Sequence, residues 1–176
     1  GATLSLTNCG LEFANNYYSL SVEDNSTVTL TNCTYNGRTL YLDGSGVNAT
    51  LTNVSGLSRV SLSPTADNTY VIENCNLAES SFNFTNGTGG SVVFRNCFWN
   101  TTEESEILSR FGNFADTVTI DGCMEEWVEK ISVTSSDSDG PGSLKAAIEQ
   151  RIREKGDVTG TMASQGTTPR RLTDLI

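Results

Sequence analysis

Hydrophobic and polar residues alternate in six short stretches of the 176-residue chain. They read Thr3-Leu-Ser-Leu-Thr-Asn-Cys9, Thr27-Val-Thr-Leu-Thr-Asn-Cys33 and Asn48-Ala-Thr-Leu-Thr-Asn-Val54, then Thr69-Tyr-Val-Ile-Glu-Asn-Cys75, Ser91-Val-Val-Phe-Arg-Asn-Cys97 and Thr117-Val-Thr-Ile-Asp-Gly-Cys123. The Cys-or-Val position recurs at intervals of 24, 21, 21, 22 and 26 residues. Alternation with period two is the mark of a half-buried strand, and near-constant spacing is the mark of a stacked repeat. Leu6, Leu30, Leu51, Ile72, Phe94 and Ile120 share one inward position, and Leu4, Val28, Ala49, Tyr70, Val92 and Val118 share another.

Two further strands are predicted in each unit. Leu11, Tyr35, Leu77 and Trp99 fall two residues past a cysteine, and the pairs Leu20/Val22, Leu40/Leu42, Val60/Leu62, Phe82/Phe84 and Ile131/Val133 alternate again. Turns rich in Gly, Asn and Asp close the units, as in Asp43-Gly-Ser-Gly and Asn86-Gly-Thr-Gly-Gly. Three short strands in about 22 residues, repeated with the same faces inward, predict a right-handed parallel β-helix of six coils. Equivalent residues then stack about 4.8 Å apart. Asn8, Asn32, Asn53, Asn74 and Asn96 form a corner ladder, expected to be buried, because Asn tolerates the left-handed bend and its amides bond along a stack. On these residues the chain resembles the pectate-lyase-like parallel β-helix superfamily over Thr3 to about Val133, a resemblance that implies the fold and not an activity.

Composition narrows the chemistry. The chain has no histidine, 21 acidic and 11 basic residues, and a formal charge of −10. The absence of histidine excludes Ser-His-Asp and Cys-His catalysis and histidine metal sites. The acidic balance argues against nucleic acid as a partner, and the longest apolar run is too short for a membrane span. No stretch reads as a signal peptide. No cofactor is expected.

The cysteines share one inward position with Val54, which implies a small apolar slot holding free thiols. Glu103, Glu104 and Glu106 lie close together, but in a Thr/Glu-rich segment that reads as a solvated loop. Outward positions of the third strand (Ser19, Ser21, Thr39, Tyr41, Arg59, Ser61, Ser81, Asn83, Ser132) carry no carboxylate pair. The Asp clusters and His-containing motif of the pectin hydrolases in the resembled superfamily are also missing. Sugar hydrolysis needs two placed carboxylates, so the reading is non-enzymatic. On the first strand, the hydroxyl ranks Ser5/Thr29/Thr50 and Thr7/Thr31/Thr52 give way to Val71/Val93/Thr119 and Glu73/Arg95/Asp121, as expected of ordinary exposed strand residues rather than an ice-binding array.

Seven N-x-S/T sequons occur. Asn32 and Asn53 belong to the ladder. Asn25, Asn48, Asn83, Asn86 and Asn100 fall on predicted loops or outward positions and are the candidate glycosylation sites.

After residue 134 the pattern stops. Residues 135–155 read as a linker and an amphipathic capping helix, with Ser143 as its cap and Leu144, Ala147, Ile148 and Ile152 as its apolar stripe. Residues 156–176 read as an extended arm ending in Arg170, Arg171, Leu172, Leu175 and Ile176. The stretch Ile131 to Ile148, with Asp-Gly-Pro-Gly-Ser-Leu-Lys-Ala-Ala-Ile at its end, is similar to the D-x-G-P-G-S-L-R-x-A-I segment of bacterial and archaeal surface β-helix proteins, which usually opens a solenoid. Residues 1–140 carry a net −12 and residues 141–176 a net +2. A first coil without a cap and a basic tail at the far end predict head-to-tail self-association, the tail residues Leu144, Ile148, Ile152 and the arm covering the next copy; the alternative is that the tail folds back on its own last coil. The expected function is an extracellular or cell-surface structural protein, a filament or appendage subunit carrying glycans. A carbohydrate-binding adhesin or phage-fibre segment is the alternative, and a polysaccharide-degrading enzyme comes third.

Overall fold

The computed structural model divides into two compact units, Gly1–Trp127 and Val128–Ile176. It describes residues 1–15, 17–86 and 89–127, together with residues 143, 145–146, 149, 161–162 and 170–171.

The first unit is a parallel β-solenoid. Its first coil consists of β1 (Thr3–Thr7), β2 (Gly10–Glu12) and β3 (Leu20–Ser21), and its second of β4 (Thr27–Thr31), β5 (Thr34–Asn36) and β6 (Leu40–Leu42). The third coil has β7 (Asn48–Thr52) and β8 (Arg59–Leu62), and the fourth β9 (Thr69–Glu73) and β10 (Ser81–Phe84). The fifth opens with β11 (Ser91–Cys97), and β12 (Val118–Cys123) opens the next. One sheet runs β1-β4-β7-β9-β11-β12 and another β10-β8-β6-β3, so the strands enclose roughly five turns. Every pairing in both is parallel, and Leu6, Leu30, Leu51, Ile72, Phe94 and Ile120 stand in register, as the alternation predicts. The second strand is regular only in β2 and β5; further along, bridges Thr34–Ser55 and Asn76–Phe98 take its place.

The core follows from the two inward columns. Leu30, Leu51, Ile72 and Phe94 are buried, whereas Leu4 and Leu6 in the first coil are half-buried because no coil packs on their outer side within this unit. Two tyrosines tie the turns from inside. Tyr70 Oη donates to Leu42 O (2.6 Å) and accepts from Ser63 N (3.2 Å) and Asn68 Nδ2 (2.9 Å). Asn68 also accepts from Val47 N (2.9 Å) and donates to Gly44 O (2.9 Å). Tyr35 Oη donates to Thr39 O (2.6 Å) and accepts from Leu20 N (3.1 Å). Burial raises the pKa of both phenols above the ordinary value, in keeping with their role as neutral donors.

The corner ladder is present, but it is not buried. Asn8, Asn32, Asn53, Asn74 and Asn96 all have left-handed backbones, with φ from 46° to 56°, and Gly122 takes the place at 81°. Asn32 Nδ2 donates to Asn8 Oδ1 (3.1 Å), Asn53 Nδ2 to Asn32 Oδ1 (2.8 Å) and Asn96 Nδ2 to Asn74 Oδ1 (2.9 Å). Asn8, Asn32 and Asn96 are exposed and Asn53 and Asn74 half-buried. The bend turns the following residue inward, so the cysteine or Val54 enters the core and the amide stays at the outer rim.

A second departure is the acidic segment expected as a loop. Glu104–Ser109 is a helix, α1, followed by a 3-10 turn over Gly112–Thr117. Ile107 and Phe111, four residues apart, are both buried, which holds the short segment against the core while Glu103, Glu104 and Glu106 stay exposed. Phe111 contacts the rings of Phe82, Phe84, Phe94 and Trp99 at 5.4–6.0 Å. Arg110 fixes the helix from outside, donating to Trp99 O (2.9 Å) and Ala78 O (3.2 Å) with its guanidinium 5.6 Å from the indole centre.

In the second unit, Ser143 Oγ accepts from Ala146 N (3.2 Å), the expected helix cap, and residues 145, 146 and 149 are helical. Here β13 (Thr161–Met162) pairs antiparallel with β14 (Arg170–Arg171). Leu144, Ile148, Ile152, Leu172, Leu175 and Ile176, and the strand expected at Ile131/Val133, lie outside the described residues.

Candidate functional site

Three surfaces of the solenoid bear on function: the first-coil edge, the cysteine column and the outer corner beside the third strand. At the first, β1 is the terminal strand of the long sheet. Its column residues Leu4 and Leu6, with Leu11, Phe13 and Leu20 of the same coil, are partly buried and pack against the core.

The cysteine column follows the same logic. Cys33, Val54, Cys75 and Cys97 are buried, whereas Cys9 at one end is exposed and Cys123 at the other half-buried. All five thiols are free. Each of the first four points back at the carbonyl two residues earlier: Cys9 at Thr7 O (3.2 Å), Cys33 at Thr31 O (3.3 Å), Cys75 at Glu73 O (3.3 Å) and Cys97 at Arg95 O (3.4 Å). Contact with the Cys75 thiol and burial push the Cys97 thiol up. Burial, with the Glu104 charge second, raises Cys123. Cys33, Cys75 and Cys97, closed off from solvent, act as packing groups. Among the described residues, no three His, Cys, Asp or Glu side chains gather as a metal site, and no helix is long and apolar enough to cross a membrane.

The sequon residues Asn25, Asn48, Asn83, Asn86 and Asn100 are all exposed. Asn25 and Asn100 have left-handed backbones, with φ of 56° and 62°. Asn48 lies in β7 between Thr27 and Thr69, and Asn83 Nδ2 donates to Ser61 Oγ (3.2 Å). Ser61, read as an outward hydroxyl, is buried, and it donates to Asp43 Oδ2 (2.8 Å).

The outer corner was not anticipated. Among the described residues, the exposed large hydrophobic side chains are Tyr17, Tyr18 and Tyr41, all in the first two coils. Tyr17 stands at the head of a cleft of about 500 Å³ that crosses successive coils past Arg38 and Arg59. Tyr17 and Tyr18 fall outside every alternating stretch, which is the signal that an aromatic there has no core to enter.

These features define the chain as a parallel β-solenoid repeat protein. Compared with protein-family models, curated proteins and solved structures, it matches none.

Proposed function

We propose that this protein is a non-enzymatic structural subunit of an extracellular or cell-surface filament, assembled head-to-tail from copies of itself and carrying N-linked glycans. The observation that carries the reading is the first-coil edge: β1 is terminal in its sheet, and its Leu4 and Leu6 are half-buried while Val28 and Leu30 one rung on are 1% and 0% exposed. A strand edge backed by apolar columns is a template for further stacking. A second copy has the matching spacing and column chemistry, and the opposite charges of solenoid and tail favour contact between different ends. A head-to-tail contact that does not close grows a filament.

Light scattering and electron microscopy of the full-length chain over a concentration series test this. Concentration-dependent linear assemblies are expected, weakened by the charge reversals Arg170→Glu and Arg171→Glu. A strict monomer at high concentration defeats the proposal. Glycopeptide analysis of native material is expected to find glycan on Asn25, Asn83 and Asn86, and bare residues at all three would remove that part.

A further inference from the structure

The cleft at the outer corner is built from four coils: Tyr17 from the first, Asn36 and Arg38 from the second, Ser58 and Arg59 from the third and Ser81 from the fourth. Four rungs span about 14 Å along the solenoid axis. Its two cations stand out in a solenoid unit, residues 1–127, that carries 14 acidic and only 4 basic side chains. No carboxylate lines the cleft, and among the described residues neither guanidinium has a hydrogen-bond or ion-pair partner. By contrast, Arg95 pairs with Asp121 (3.4 Å) and Arg110 is bonded to two carbonyls.

The backbone around the cleft is fixed. Arg38 N donates to Tyr18 O (2.8 Å), Ser58 Oγ donates to Arg38 O (3.2 Å), and Ser81 Oγ donates to Ser58 O (3.2 Å). Leu40 pairs with Val60 and Arg59 with Ser81, so the coils that carry the two arginines are stacked directly on one another. Gly37 and Gly56 also line the cleft, and a β-carbon at either would collide with Tyr35. Tyr17, 76% exposed, presents a ring with no packing role.

We infer that this cleft binds an anionic saccharide chain, with its carboxylate or sulfate groups held by Arg38 and Arg59 and a sugar ring lying against Tyr17. Guanidinium groups match such oxyanions with paired N–H donors. A shallow cleft with amide and hydroxyl walls suits a hydrated sugar rather than an apolar small molecule, and an aromatic face supplies the apolar contact.

Affinity electrophoresis and titration calorimetry of the full chain test this, with heparin as the sulfated probe, polygalacturonate as the carboxylated probe and dextran as the neutral one. At least one anionic probe is expected to bind, salt-dependently, and dextran not. Arg38→Gln and Arg59→Gln are each expected to weaken binding about tenfold, roughly the loss of one charged hydrogen-bonded contact. Tyr17→Ala weakens it as well, and Arg95→Gln, outside the cleft, leaves it unchanged. Circular dichroism and light scattering at matched concentrations keep folding and assembly out of the comparison. Failure of both anionic probes to bind, equal binding of dextran, or the same loss from Arg95→Gln as from the cleft arginines would overturn the inference. None of these results bears on filament growth, which is read separately.

Discussion

Replacing Asn53 isolates the physics of the corner. Its backbone φ is 55° and its amide donates to Asn32 Oδ1 at 2.8 Å. Asn53→Gly removes the hydrogen bond but keeps a residue at ease in the left-handed region. Asn32 is exposed, so water takes the place of the lost donor and the cost stays near ~1 kcal/mol. Asn53→Ala loses the same bond and keeps the β-carbon against the following carbonyl without the local polar contacts by which asparagine offsets that strain, which places it about 1–2 kcal/mol below glycine. The expected stability order is Asn, then Gly, then Ala, with Ala about 2–3 kcal/mol below the parent. Gly122 supplies the mirror experiment: its φ is 81° and the nearest atom to a new β-carbon, Asn96 N, is 4.0 Å away, so space is not limiting. Gly122→Ala should therefore cost about 1–2 kcal/mol through the backbone alone, and Gly122→Asn less. Urea unfolding followed by circular dichroism measures all four. An alanine at 53 as stable as glycine, or an alanine at 122 without cost, would refute the backbone argument.

Other perturbations separate the remaining contributions. Leu51→Ala, in the middle of a column with 0% exposure, should destabilise by about 2–5 kcal/mol in the same assay. Tyr70→Phe strands Leu42 O, Ser63 N and one bond of Asn68, and should cost about 1–3 kcal/mol in thermal or urea unfolding. Because burial raises the folded-state pKa of Tyr70 and Tyr35 above 10.0, their contribution is complete below pH 10 and lost as pH rises through the folded values; unfolding titrations should show alkaline destabilisation that shrinks in Tyr70→Phe. A thiol reagent followed by mass spectrometry should modify Cys9 first in the native protein and leave Cys33, Cys75 and Cys97 protected until unfolding.

Much of the solenoid was legible in the chain because its two signals reinforce each other. The period-two alternation places Leu30 and Leu51 inward, and the near-constant repeat puts one above the other, so register follows without a tertiary argument. The rim position of the ladder was not legible: Asn32 reads the same whether its amide faces inward or outward, and only the direction of the chain after φ 55° decides. Helix α1 was hidden because six residues are too few for a helical period, and its stability comes from the burial of Ile107 and from Phe111, just past its end, meeting aromatics from β10 and β11. The cleft was hidden for a related reason. Tyr17, Arg38, Arg59 and Ser81 are scattered over more than sixty residues and belong to no common motif, and the stacking alone brings them to one corner.

The parallel register has a mechanical consequence. All ladder hydrogen bonds between β1, β4, β7, β9, β11 and β12 run along the solenoid axis, so each coil is held mainly by the coils on either side. Tension applied between the two ends of the solenoid loads the rungs one after another, as a zipper does, rather than shearing many at once. Each rung that yields frees about 22 residues, or roughly 70 Å of extended chain. Stretching in an optical trap should therefore give a staircase of small, similar steps, with the Arg110-pinned helix and its aromatic cluster marking the one step that resists more than its neighbours.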